Sequence, residues 1–149
     1  MSRILIHQYG RKVNYYETDQ MGVVHHSNYI RWMEETRVAF LEKIGVGYDK
    51  MEADDVISPV LSVNCDFKKP LKFGEEFDID LYVTLFDGIR LQFEYEIKRD
   101  GELCVLGKSG HCFVDRNFRP MHLKKSAKKY YDIIMESLGT KGDDAWKWN

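Results

Sequence analysis

The sequence predicts an α+β domain in which an antiparallel sheet of about five strands wraps one long central helix. Two observations carry that expectation. A single long run of helical periodicity covers residues 27 to 44, and later runs with a period of two are separated by turn signals. At 149 residues and 44% hydrophobic, the chain is long enough for one domain with a real core, so 1–149 reads as a single unit.

An opening strand leads into the stretch YYETDQMGVVHHSNYIRW at 15 to 32. From Ser27 to Ile44, Tyr29, Ile30, Trp32, Met33, Phe40, Leu41 and Ile44 recur at helical spacing, while Arg31, Glu34, Glu35, Glu42 and Lys43 share the other side. Ser27 or Asn28 can cap the start, and Gly45 can end it. Leu61, Val63, Cys65 and Phe67 then alternate with polar residues, as a half-buried strand does. The alternation returns at Phe77, Ile79, Leu81, Val83 and Leu85, and again at Ile89, Leu91, Phe93, Tyr95 and Ile97. Asp87-Gly88 and the RDGE at 99 to 102 are hairpin signals, so a meander of antiparallel strands is expected. The segment 103 to 115 is mixed in polarity and is expected to be covered on more than one side. A last helix spans about 124 to 138, with Tyr130, Tyr131, Ile133, Ile134 and Leu138 as its apolar set. One helix can cover only one face of such a sheet, and the edges stay open. A homodimer joined edge to edge is expected, paired again into a tetramer in the larger form.

Composition narrows the function. With 22 basic and 24 acidic residues interspersed, the net charge of -2 offers no field for nucleic acid or an anionic membrane. No stretch has the ~20 apolar residues of a membrane span, and the opening apolar run is short for a signal peptide, so a cytoplasmic protein is expected. Cys65, Cys104 and Cys112 lack paired spacing and read as reduced thiols; His111 and His122 suggest no metal, and none is expected.

The loop before the long helix concentrates the chemistry. A helix N-terminus presents free N–H groups and the positive end of its dipole, a place for a carbonyl oxygen gaining negative charge. Asp19 lies seven residues before His26, within reach of a carbonyl carbon whose oxygen is held there. Gly22 allows a tight turn between them, and Val23 and Val24 can anchor the loop in the core. Tyr15 is read as a strand residue whose hydroxyl could orient Asp19, and Glu17 and His25 as solvent facing. Asp19 could equally be an ordinary turn aspartate, and His26 a cap.

The pattern Tyr15-x-x-Thr18-Asp19-x-x-Gly22-x-Val24-x-His26-x-Asn28-Tyr29 resembles the hot dog fold thioesterases, in particular the 4-hydroxybenzoyl-CoA thioesterases and the acyl-CoA thioesterases related to YbgC. DFKKPLKFGEEF at 66 to 77 and FVDRNFRPM at 113 to 121 resemble their counterparts, so the likeness covers nearly the whole chain. The resemblance implies an acyl-CoA thioesterase with Asp19 as nucleophile or general base and a backbone N–H at His26 or a neighbour as oxyanion donor. It places the His26 side chain in the site, with Gly22, Val24, Asn28 and Tyr29 toward the substrate, and it implies no cofactor, coenzyme A being part of the substrate. Phosphates need cations; among Lys68, Lys69, Arg90, Arg116 and Arg119, the preferred pair is Lys69 and Arg90, with contacts shared across a subunit interface. An acyl carrier protein could replace coenzyme A, an aryl group could replace the acyl chain, and a noncatalytic acyl-binding subunit would keep the same fold.

Overall fold

A computed structural model describes residues 2–139. Strand β1 (Ile4–Lys12) and a 3-10 turn (Tyr15–Glu17) precede the long helix α1 (His26–Lys43) and the short α2 (Tyr48–Ala53). Strands β2 (Val60–Phe67), β3 (Glu76–Phe86), β4 (Arg90–Arg99) and β5 (Glu102–Cys112) follow, then α3 (Leu123–Ser126) and α4 (Lys128–Ser137). The five strands form one antiparallel sheet in the order β1-β3-β4-β5-β2. Only β3, β4 and β5 form the expected meander. Strand β2 crosses to the far edge and pairs with β5, so β2 and β3 are not neighbours.

The buried stripe of α1 runs Tyr29, Trp32, Met33, Thr36, Arg37, Phe40 and Leu41, the i, i+3, i+4 spacing that a core-facing helix requires. Ile30, expected among these, is 44% exposed because it lies one residue, or about 100° of helix rotation, off the stripe. Trp32 packs on Phe77 with ring centroids 4.5 Å apart. A Cβ at Gly107 would stand 2.9 Å from the Met33 sulfur, so the Met33 side chain packs into the space that the missing side chain in β5 leaves. Gly45 follows the helix with φ +86°, as expected of its end. Its start is capped by His25, whose Nδ1 accepts from the Ser27 N–H at 3.2 Å, and not by Ser27 or Asn28.

Three further expectations change. Ile89 lies in the β3–β4 turn and is exposed, outside the alternating set of β4. The final helix is two pieces, broken at Ala127 (φ -150°): Leu123 N–H bonds the Gly88 carbonyl in that turn, while Tyr130 donates to the Lys50 carbonyl and to Asp54 beside α2. The apolar face of β2 is not half-buried in the single chain, for Leu61 is 64%, Val63 38% and Phe67 55% exposed. Strand β2 is an edge strand that α1 covers in part, touching it through Met33 at Cys65 and Tyr29 at Phe67.

The α1 stripe also carries polar groups that periodicity does not reveal. Arg37 donates to the Tyr95 hydroxyl at 3.0 Å, Tyr95 pairs with the Ser109 hydroxyl at 2.6 Å, and Ser109 with His111 Nε2 at 2.8 Å. Burial, with the Arg37 charge adding to it, holds His111 down at about 4 from an ordinary 6.5. Between these values the unfolded chain takes up a proton that the folded chain refuses, so stability falls as pH drops from about 6.5 to about 4. The full loss is about 3 kcal/mol. Urea unfolding between pH 4 and 7 is expected to show a steeper fall in the native chain than in His111→Gln, in which burial still lowers His7; parallel curves would refute it.

Candidate active site

The chain leaves β1 at Lys12, and buried Val13 anchors the exit through its N–H to the Glu75 carbonyl at 3.0 Å. After the 3-10 turn, Thr18 bridges Val24, and the Asp19 N–H donates to the Val23 carbonyl at 2.8 Å. The loop 18–24 is therefore a small hairpin. Gly22, at φ +82°, closes it by donating from its N–H to the Asp19 carbonyl at 2.9 Å, a conformation that costs glycine nothing. The far arm is tied down where the Val24 N–H meets the Leu71 carbonyl at 2.8 Å and Val23 bridges Lys72.

The ties of Asp19 to Val23, Thr18 to Val24 and Glu17 to His25 fold Asp19 back along the segment that enters α1. Its Oδ1 accepts from the Met21 N–H at 2.8 Å, and Oδ2 has no hydrogen bond among the described residues. The His26 N–H likewise has no acceptor among the described residues, so a donor stands free at the positive end of an 18-residue helix. The His25 and His26 rings are both exposed and stack at 4.2 Å, so the two adjacent histidines share one direction. A carboxylate with one oxygen held and one free, on the hairpin that leads to an unused N–H at a helix start, has the groups to attack or deprotonate at a carbonyl and to stabilise its oxyanion.

The other expected residues take different places. Tyr15 sits in the 3-10 turn, 76% exposed, edge-on to Phe73 at 5.4 Å, with no hydrogen bond to Asp19. Val24 and Tyr29 are buried; Tyr29 lies against Trp32 and Phe67, and burial raises its hydroxyl above the usual range. The Asn28 amide donates to the Glu17 carbonyl at 2.8 Å and its oxygen accepts from Arg31, so it is committed within the chain. Lys69 is paired with Glu102 at 2.6 Å and Arg90 with Asp87 at 3.2 Å. The two cations are not brought together. Lys69 follows the Phe67 end of β2 near the Asp19 loop, and Arg90 opens β4 at the opposite end of the sheet, about 30 Å away along a 10-residue strand.

Glu17 overturns its solvent-facing reading. It is 3% exposed and its carboxylate accepts from Arg11 at 2.7 Å, the Asn14 N–H at 2.8 Å and Trp32 Nε1 at 2.7 Å. Burial alone would raise its pKa, yet Arg11 with these N–H donors holds it below the ordinary carboxylate range. The signal was the Asn14-x-x-Glu17 spacing, where an acid three residues after a capping type turns back onto the chain.

A profile of the Thioesterase-like superfamily matches residues 13–132. The Bacillus subtilis protein YneP, provisionally named an acyl-CoA thioesterase, is 38% identical over 117 residues, covering 77% of this chain and 85% of that one. The DHNA-CoA thioesterase of Staphylococcus aureus superposes with a TM-score of 0.82 at 28% identity, over 91% of this chain and 94% of its own. The hypothetical protein AQ1494 of Aquifex aeolicus superposes with a TM-score of 0.80 at 31% identity, over 85% and 98% of the two chains.

Proposed function

This chain belongs to the thioesterase-like superfamily, with its α+β hot dog fold, and is a thioester hydrolase, and we propose that it cleaves an acyl-coenzyme A thioester at the Asp19 hairpin. The observation that carries the reading is the pairing of the Asp19 carboxylate, its Oδ2 free, with the unused His26 N–H at the start of α1. The carboxylate attacks the thioester carbon or draws a proton from the water that does. The negative charge that then develops on the carbonyl oxygen is met by the helix N-terminus, whose donor needs no reorganisation. By the first route the thiolate of coenzyme A departs from a mixed anhydride on Asp19, which a water then hydrolyses to the free acid and the restored carboxylate. By the second the proton that Asp19 takes from water passes to the departing thiolate as the acid is freed. Coenzyme A is part of the substrate, and the reaction uses no further cofactor. The Thr18-Asp19, Gly22, His26 and Asn28-Tyr29 pattern supports the 4-hydroxybenzoyl-CoA thioesterase and YbgC side of the superfamily.

Tyr15, Met21 and Phe73 are exposed on or next to the strands and turns that hold the Asp19 hairpin, and they offer apolar surface to an acyl or aryl group. Exposed Val60, Leu61 and Phe67 on the open edge of β2 support a homodimer paired through that edge, with a tetramer as a further pairing. An antiparallel seam sets the Val60 end of one β2 beside the Phe67 end of the other. The partner's Arg90 then belongs to the same end of the continuous sheet as Lys69 here, about 10 Å in from the seam across two strands, and the two cations can share the phosphates of one coenzyme A. No helix among the described residues is long and apolar enough to cross a membrane, and a cytoplasmic setting belongs to the same reading.

Release of free thiol from short-chain, long-chain and benzoyl-coenzyme A, with an acyl carrier protein thioester alongside, tests the proposal. Turnover of at least one coenzyme A ester is expected; cleavage confined to the carrier-protein thioester, or of none of them, would reject coenzyme A as the carrier.

A further inference from the structure

Glu17 gathers five hydrogen-bond donors from four stretches of chain. Its carboxylate takes Arg11 of β1, the Asn14 N–H of the turn and the Trp32 indole of α1. Its main-chain carbonyl takes the His25 N–H at 2.9 Å and the Asn28 amide at 2.8 Å. Residue 17 is the entry of the Asp19 hairpin and residue 25 its exit, so one residue clasps both ends of the loop and fixes them to the strand behind and the helix ahead.

The choice of a carboxylate here has a physical reason. An amide of the same size has one acceptor oxygen, and its NH2 would be turned against either Arg11 or the Trp32 N–H, donor facing donor. Only the ionised acid satisfies all three. Burying it is costly, and the chain keeps it charged by placing Arg11 against it, itself paired with Glu35 at 2.8 Å and lying 5.1 Å over the Trp32 ring. Apolar groups of similar volume often replace a buried ion pair without loss of stability, so what this ionic arrangement distinctively supplies is the orientation it imposes.

We infer that Glu17 is a positioning residue: without touching substrate, it fixes the Asp19 carboxylate relative to the His26 N–H. The inference rests on the reading of Asp19 as the reacting carboxylate. A misplacement of about 1 Å at a reacting group can cost on the order of 100-fold in rate, so a loosened clasp registers in kcat before it registers in binding.

Steady-state thiol release from benzoyl- and hexanoyl-coenzyme A tests it, with native chain, Glu17→Gln, Asp19→Asn and the double variant. Glu17→Gln is expected to lower kcat by about 10- to 100-fold with KM changed little, and to add no loss in the Asp19→Asn background, because Glu17 acts only through Asp19. Amide exchange is expected to quicken in residues 14 to 25 and not in β3 to β5. If Glu17→Gln fails to fold, Trp32→Phe removes one of the three donors and keeps an aromatic ring in place; it is expected to lower kcat by about 10-fold on the same grounds. Native kcat in a folded Glu17→Gln, or losses that multiply independently with Asp19→Asn, would overturn the inference while leaving Asp19 intact as the reacting group. Native turnover in Asp19→Asn would overturn both.

Discussion

Asp19→Asn is expected to lose at least ~100-fold in kcat while the chain stays folded, because removal of a nucleophile or general base costs factors of that order. The substitution is chosen for what it keeps. The Asp19 side chain serves the hairpin through Oδ1, which accepts from the Met21 N–H, and the amide oxygen of Asn can accept the same bond. The hairpin's other ties run through main-chain atoms, from Asp19 to Val23 and from Gly22 back to Asp19, and are untouched. Only the free, charged oxygen is lost, and an amide is neither nucleophile nor base. His26→Ala is expected to cost less, since the donor proposed for the oxyanion is the backbone N–H, which survives the change. Thiol-release kinetics beside circular dichroism checks both. A folded Asp19→Asn with near-native turnover would remove Asp19 from the mechanism, and a histidine variant more damaged than the aspartate variant would make the imidazole the principal catalyst.

The second large effect is expected at the open edge of the sheet. Replacing Leu61 and Val63 together by lysine puts like charges along the seam proposed at β2, where the native side chains are 64% and 38% exposed in the single chain. Like-charge juxtaposition at an interface costs several kcal/mol, and each 1.4 kcal/mol is tenfold in dissociation constant, so affinity is expected to fall by about a thousandfold. The folded monomer should tolerate the change, because β2 remains paired with β5 along its other side. Sedimentation at assay concentration is expected to show monomers, with turnover lost alongside the dimer as the partner's Arg90 leaves the site. A monomer that keeps full activity would rule out a shared site, and an unchanged dimer would place the interface elsewhere.

The sequence by itself determined the elements whose signals are local. The period of α1, the alternation in β3 and β4 and the turns at Asp87-Gly88 and Asp100-Gly101 depend on neighbours a few residues apart, and each is found within one or two residues of its expected place. The Asp19 hairpin was legible for the same reason, since Gly22 and the helix start lie close to Asp19 along the chain. Tertiary structure decided everything that needs two distant segments. Strand β2 shows the alternation of a half-buried strand, but its burial depends on its place in the sheet, and that place is the edge. Lys69 and Arg90 are both plausible phosphate ligands by type, and only the strand order sets them at opposite ends. Glu17 has the composition of a solvated loop acid. It becomes the buried anchor of the Asp19 hairpin because Arg11 in β1 and Trp32 in α1 converge on it, 6 and 15 residues away along the chain. A polar side chain's role is set by the donors and acceptors that folding brings to it, and the periodicity of one segment carries no record of those partners.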